Sequence, residues 1–132
     1  MSAKPTELLG FRILVLEDSF LVAEAIRVVL EDGGHVVIGP TPRVKEALEM
    51  LVGEKLDGAI LDINLGGDYC FPVAAALLER GVPFVFCSGY DNAAIVPESL
   101  RHVPFLPKPF EDRELIRFVA EHLVGGRPQP ID

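Results

Sequence analysis

The sequence predicts an α/β domain in which a five-stranded parallel sheet, doubly wound in the strand order 2-1-3-4-5, carries helices on both faces. Two observations lead there. Five short apolar runs, each too short for a helix, recur along the chain, and the stretches between them place apolar residues at i, i+3, i+4 and i+7. With 132 residues, 49% of them hydrophobic and 24% charged, the chain is sized for one such domain around one core. Right-handed crossovers then bring the carboxyl ends of all five strands to one rim, with a switch point between strands 1 and 3.

The elements follow in order. Residues 1–10 form a short lead with a helical turn around Glu7 to Leu9, the domain spans 11–124, and 125–132, "GGRPQPID", is expected to be a disordered tail. Strand 1 is Ile13 to Leu16, ending on Glu17 and Asp18. Helix 1, Ser19 to Glu31, carries apolar residues at Leu21, Val22, Ala25, Ile26, Val29 and Leu30, the spacing of a helix, and is closed by Asp32, Gly33 and Gly34. Strand 2 is His35 to Gly39. Thr41 as N-cap and Pro42 as first residue start helix 2, whose stripe is Val44, Ala47, Leu48 and Leu51. Strand 3 runs from Leu56 to Asp62, and a loop from Asn64 to Asp68 leads into helix 3, Phe71 to Glu79, with Pro72 in its first turn.

Strand 4 lies in "VPFVFCSGY" and ends on Ser88, Gly89 and Tyr90. The next stretch, Asp91 to His102, is the weakest helix, interrupted by Pro97 and reduced to about one and a half turns from Pro97 to Arg101. "VPFLPKPF" supplies strand 5 up to Lys108, and Asp112 to Val124 is an amphipathic fifth helix carrying Leu115, Ile116, Val119 and Leu123.

Composition excludes several function classes. The net charge of -8 opposes a phosphate backbone, so no nucleic-acid partner is expected. Cys70 and Cys87 lie far apart among apolar residues and read as buried free thiols of a reducing compartment. His35, His102 and His122 lack metal-ligand spacing. There is no signal-like start and no apolar stretch long enough for a membrane, so the expected location is cytoplasmic, as a monomer or weak dimer.

The rim is where chemistry collects. Four strand ends bring Glu17 and Asp18, Asp62, Ser88 and Lys108 into one pocket. Three acids at such close quarters repel unless a cation sits among them, and their oxygen ligands suit Mg²⁺. Acids, an amine and a hydroxyl around a Mg²⁺ site suggest phosphoryl transfer.

In this order and spacing the acid pair Glu17-Asp18, Asp62 after "AIL", Ser88-Gly89 and Lys108-Pro109 resemble the receiver domain of two-component response regulators, over roughly Arg12 to Leu123. The resemblance implies a flavodoxin-like (βα)5 fold and, residue by residue, the following roles. Asp62 would be the phosphoacceptor, and Lys108 and Ser88 would contact phosphoryl oxygens. Glu17, Asp18, Asp62 and the backbone carbonyl of Asn64 would hold Mg²⁺. The bond between Lys108 and Pro109 would be cis. Phe105 matches the switch aromatic, where Phe in place of the commoner Tyr removes a hydrogen bond. "FVFCSGY" also resembles a subclass, often of stand-alone receivers, whose fourth strand reads Phe-x-Phe-Ala-Thr-Gly and then an aromatic, which makes Tyr90 a competing switch residue.

Taken singly, each residue has a plainer reading. Asp62 would be a turn acid, Glu17-Asp18 a pair favoured at a helix N-terminus, Ser88 a turn residue and Lys108 a solvated lysine. Tyr90 and Phe105 read equally well as packing residues or as switches. Only the set is specific.

The function expected from the resemblance is signalling rather than enzymatic, catalysis being confined to the chain's own phosphorylation and dephosphorylation. A sensor histidine kinase or histidine phosphotransfer protein would phosphorylate Asp62, shifting a surface around helix 4, strand 5 and helix 5 that binds a downstream protein. No output domain follows, so the response would be a protein contact or a phosphorelay. Two alternatives compete: a docking module that works without phosphorylation, and a small Mg²⁺-dependent phosphatase. The second lacks an acid two residues after Asp62, where Asn64 stands.

Overall fold

The computed structural model describes residues 10–124. The expected lead turn around Glu7 to Leu9 and the expected tail at 125–132 lie outside the described residues. β1 (Arg12–Leu16), β2 (Val36–Thr41), β3 (Gly58–Leu61), β4 (Phe84–Gly89) and β5 (Phe105–Lys108) form one sheet in the order β2-β1-β3-β4-β5. All four pairings are parallel. This is the doubly wound arrangement that the apolar runs predict.

The three central strands, β1, β3 and β4, are buried on both faces and divide their side chains between them, while the edge strands β2 and β5 are partly exposed. Leu14, Leu16, Ala59, Leu61, Phe84 and Phe86 face one half of the core, closed by α2 (Val44–Gly53) and α3 (Phe71–Glu79) through Ala47, Leu51, Val73, Ala74 and Leu77. Ile13, Val15, Ile60, Val85 and Cys87 face the other, closed by α1 (Phe20–Asp32) and α4 (Asp112–Val119) through Ile26, Leu30, Leu115 and Val119. The C-terminal turn Ala120–Val124 continues α4 as a single π turn and presses Leu123 into the second half. Gly58 suits this contact, since a Cβ at that position would stand 3.3 Å from a Leu123 methyl and Leu123 would have to shift by a few tenths of an ångström.

Helix ends follow local chemistry. Ser19 caps α1, its hydroxyl oxygen accepting from the Val22 N–H at 3.4 Å. Glu111 and Glu114 make a reciprocal capping box at the start of α4. Pro72 occupies the first turn of α3, as expected.

Three expectations are corrected. Thr41 is not the N-cap of the second helix: it belongs to β2, where it pairs with Leu16 and its carbonyl accepts the Glu17 N–H at 3.0 Å. Its hydroxyl accepts from the Arg43 N–H at 3.2 Å and donates to Glu46, and α2 starts two residues after Pro42.

The stretch 64–69 is not a plain loop but a small antiparallel hairpin, Asn64–Leu65 against Asp68–Tyr69. Its tip is Gly66-Gly67, both at positive φ (74° and 111°), the conformation that two-residue hairpin turns need and that glycine adopts without strain.

Between β4 and β5 there is no α-helix. A 3-10 turn over Tyr90–Ile95 and another over Glu98–Leu100 flank an extended Val96, which Pro97 keeps out of the helical region. Val96, Leu100 and Val103 anchor this segment in the first core half.

Candidate functional site

The carboxyl ends of the strands bring the sequence-predicted residues together. Glu17 follows β1 with 3% of its surface exposed, Asp62 follows β3 with 4%, and Ser88 lies near the end of β4 with none. Lys108 ends β5, its side chain 20% exposed. Asp18 is on the open side of the pocket. The Asp62 N–H donates to the Leu16 carbonyl at 2.8 Å, continuing the sheet one residue beyond β3 and fixing the acid's base beside Glu17.

Asp62 is engaged on both oxygens. Oδ1 accepts from the Ser88 hydroxyl at 2.5 Å and from the Ile63 N–H at 2.8 Å. Oδ2 accepts from the Lys108 ammonium at 3.1 Å. Lys108 also donates to Glu17 Oε2 at 2.9 Å, and Oε2 accepts the Ser19 N–H at 3.1 Å. One ammonium therefore bridges two buried carboxylates.

Burial and the contacts among the charged groups set the electrostatics of the pocket. Burial pushes the Glu17 carboxyl from 4.5 up to about 7; the Lys108 hydrogen bond pulls against this, and the Asp62 charge adds to it. Burial alone would lower the Lys108 pKa, but the contacts with Glu17 and Asp62 outweigh it and hold the ammonium above its ordinary range. Glu17 Oε1 and Oε2 lie 2.8 and 2.9 Å from the Lys108 nitrogen, so one ammonium spans both oxygens of this carboxylate. Glu17, Asp18 and Asp62 each offer a carboxylate oxygen, and these oxygens lie within 4.8 Å of one another. Three carboxylates that converge in one pocket, with a single ammonium among them, fit a hard divalent cation such as Mg²⁺.

Asn64 enters the hairpin, and its side-chain Oδ1 accepts the Gly67 N–H at 3.0 Å. The hairpin tip lies close to the acids: a Cβ on Gly66 would be 3.9 Å from Asp18 Oδ2. The peptide bond from Lys108 to Pro109 is cis, as the resemblance implies. The two aromatics part company. Tyr90 is 77% exposed at the start of the 3-10 turn, while Phe105 is half-buried against the first core half, opposite Phe86 in the sheet register.

One polar residue of the site escapes the sequence reading. Asn92 donates from Nδ2 to Ser88 Oγ at 2.9 Å. An Asn four residues past a strand-end hydroxyl, within a stretch read as weak helix, carries no signal by itself; only the 3-10 turn curls it back over the rim. Cys70 and Cys87 are buried free thiols, and burial pushes each up to about 12. Among the described residues no helix is long and apolar enough to cross a membrane.

Relatives agree with this geometry. The family model of the response regulator receiver domain matches residues 13–120. The chain is 29% identical over 114 residues to the sensory transduction protein LytT of Bacillus anthracis, covering 84% of this chain and 46% of that one. It is 32% identical over 107 residues to the positive alginate biosynthesis regulatory protein of Pseudomonas aeruginosa, covering 78% and 43%. It therefore spans less than half the length of either curated relative. Among solved structures, SdrG from Sphingomonas melonis Fr1 is 35% identical with a TM-score of 0.75, covering 85% of this chain and 95% of that one. The PhyR receiver domain of Erythrobacter litoralis shares the fold at a TM-score of 0.80, with 19% identity and coverage of 93% and 96%. A strand-order 2-1-3-4-5 sheet, an acid-lined rim closed by one lysine, and a family match across 13–120 converge: the chain belongs to the response regulator receiver domain family of two-component signalling.

Proposed function

We propose that the chain is a phosphoacceptor: Asp62 takes a phosphoryl group from a histidine kinase or a histidine phosphotransfer protein, with Mg²⁺ held by Glu17, Asp18, Asp62 and the Asn64 carbonyl. The supporting observation is the environment of Asp62, a buried carboxylate held by an amine, a hydroxyl and a backbone N–H beside two further acids. An Asp62 oxygen forms the new P–O bond as the donor's P–N bond breaks, and the departing imidazole nitrogen keeps the bonding electron pair. Mg²⁺, when bound, supplies neutralisation of the charge on the phosphoryl oxygens.

The chain's own groups do the rest. Lys108 gives up part of its contact with Asp62 Oδ2 and pairs with a phosphoryl oxygen. Ser88 releases Oδ1 and donates to another phosphoryl oxygen, a movement that opens space near Phe105 and the 3-10 segment. That segment has few buried side chains and short hydrogen-bonded runs, so it rearranges at small cost and provides the surface a downstream protein reads.

Incubation with Mg²⁺ and acetyl phosphate followed by intact-mass measurement tests this. The expected result is one phosphate-sized gain in mass that is absent from Asp62→Ala and from samples kept in chelator. A gain that persists in Asp62→Ala overturns the assignment. Sustained release of phosphate from unrelated phosphoesters would support a phosphatase instead.

A further inference from the structure

Asn92 and Ser88 are joined where the 3-10 turn meets the pocket. The turn Tyr90–Ile95 has no buried residue; Tyr90 is 77% exposed and Ile95 42%. Apolar packing therefore holds the turn only at its far end, through Val96. What reaches the strand end is the Asn92 side chain, donating to Ser88 Oγ at 2.9 Å. A Cβ at Gly89 would stand 3.2 Å from Asp91 Oδ1 and in ordinary contact, 4.0 Å, with Asn92 Nδ2, which shows how closely the turn's side chains fold back over the strand end.

The direction of the bonds matters. Ser88 Oγ accepts from Asn92 Nδ2 and, at 3.3 Å, from the Ile63 N–H. With both acceptor positions in use, the hydroxyl proton is left to point at Asp62 Oδ1. The result is a one-way chain of donors from Asn92 through Ser88 to Asp62, in which each bond polarises the next.

We propose that Asn92 is a positioning residue, a latch that holds Ser88 in its resting orientation toward Asp62 and couples release of that hydroxyl to release of the Tyr90–Ile95 turn. The latch rests on the phosphoacceptor reading of Asp62. It places the readout in the Ser88–Asn92 bond, ahead of the Tyr90 ring, which is in solvent, and of the Phe105 ring, which packs in the core half shared with Phe86. When Ser88 turns to a phosphoryl oxygen, its bond from Asn92 is lost and the turn is freed from the strand end, while Val96 keeps its place in the core.

Two measurements on the full chain test the latch, using the wild type, Asn92→Ala, Ser88→Ala and the double variant. In the absence of any phosphoryl group, amide hydrogen exchange across 90–95 is expected to speed up in each single variant, with the double variant no faster than either. Additive effects would overturn the latch.

The second measurement is the affinity for beryllofluoride, a phosphoryl mimic, in the presence of Mg²⁺. Removing a bond present only in the resting state should tighten binding about five-fold in Asn92→Ala, the worth of one neutral hydrogen bond. In the Ser88→Ala background the same substitution should change nothing. Weaker binding by Asn92→Ala, or an equal effect with and without Ser88, overturns the proposal. A wild-type chain that does not bind beryllofluoride at all, while the exchange cycle shows coupling, overturns the phosphoacceptor reading and leaves the bond as a static tie.

Discussion

The Lys108 ammonium donates to Glu17 Oε2 at 2.9 Å, joining residues 91 apart in the sequence. Before any cation enters the acid cluster, this amine is the positive charge that faces it, because Asp62 Oδ2 lies 3.1 Å from the same nitrogen. Lys108→Ala should therefore destabilise the metal-free chain by roughly 3 kcal/mol, the low end for breaking a buried pair, since the lysine retains some exposure. Mg²⁺ should restore part of the loss. Urea melts with and without Mg²⁺ check this, and a variant as stable as the wild type in chelator would show that the acids do not need the amine.

Glu17 makes stability depend on pH. Its folded-state pKa is raised by burial from 4.5 to about 7, so the folded chain holds this proton more tightly than the unfolded chain does. The stabilisation from the group is complete below about pH 4.5 and is lost as pH rises to about 7. In chelator, the wild-type urea midpoint should fall relative to Glu17→Gln across that interval and run parallel to it above. Curves that stay parallel from pH 4.5 upward would mean that Glu17 ionises as it does in water.

The two aromatics should answer differently to truncation. Phe105 packs against the first core half, and Phe105→Ala should cost about 2 kcal/mol, less than a fully buried Phe because the ring is partly exposed. Tyr90 is in solvent, and Tyr90→Ala should stay within about 0.5 kcal/mol of wild type. Thermal melts of both variants decide; a large loss from Tyr90→Ala would place that ring in the core.

Both thiols should be silent in the folded chain. Cys70 and Cys87 are buried, and burial raises each to about 12, so almost no thiolate forms at neutral pH. A thiol-reactive dye should label neither until denaturant is added, and then both. Prompt labelling of one in native buffer would reveal local opening around it.

Much of the fold could be read from the sequence because burial on both faces writes strands as continuous apolar runs: "ILVL", "AIL" and "FVFC" all became sheet. The pocket was legible for a related reason, since each of its acids, its hydroxyl and its amine terminates such a run. What failed was local. Thr41 looked like a helix cap because its neighbour is Pro42, but the backbone pairing with Leu16 is a contact 25 residues away that no local pattern contains. Gly66-Gly67 signalled a turn without revealing the two-residue ladder on either side of it. Asn92 was missed because its partner, Ser88, is reached only through the curvature of a 3-10 turn.

The split core has a meaning for divergence. Among the described residues no buried side chain belongs to both halves, one closed by α2 and α3 and the other by α1 and α4. Substitutions on one side of the sheet can accumulate without repacking the other. Over long drift, one flank is free to acquire new binding surfaces while its opposite number keeps an old one. The rim residues have no such freedom, because they end strands whose backbones serve both halves at once.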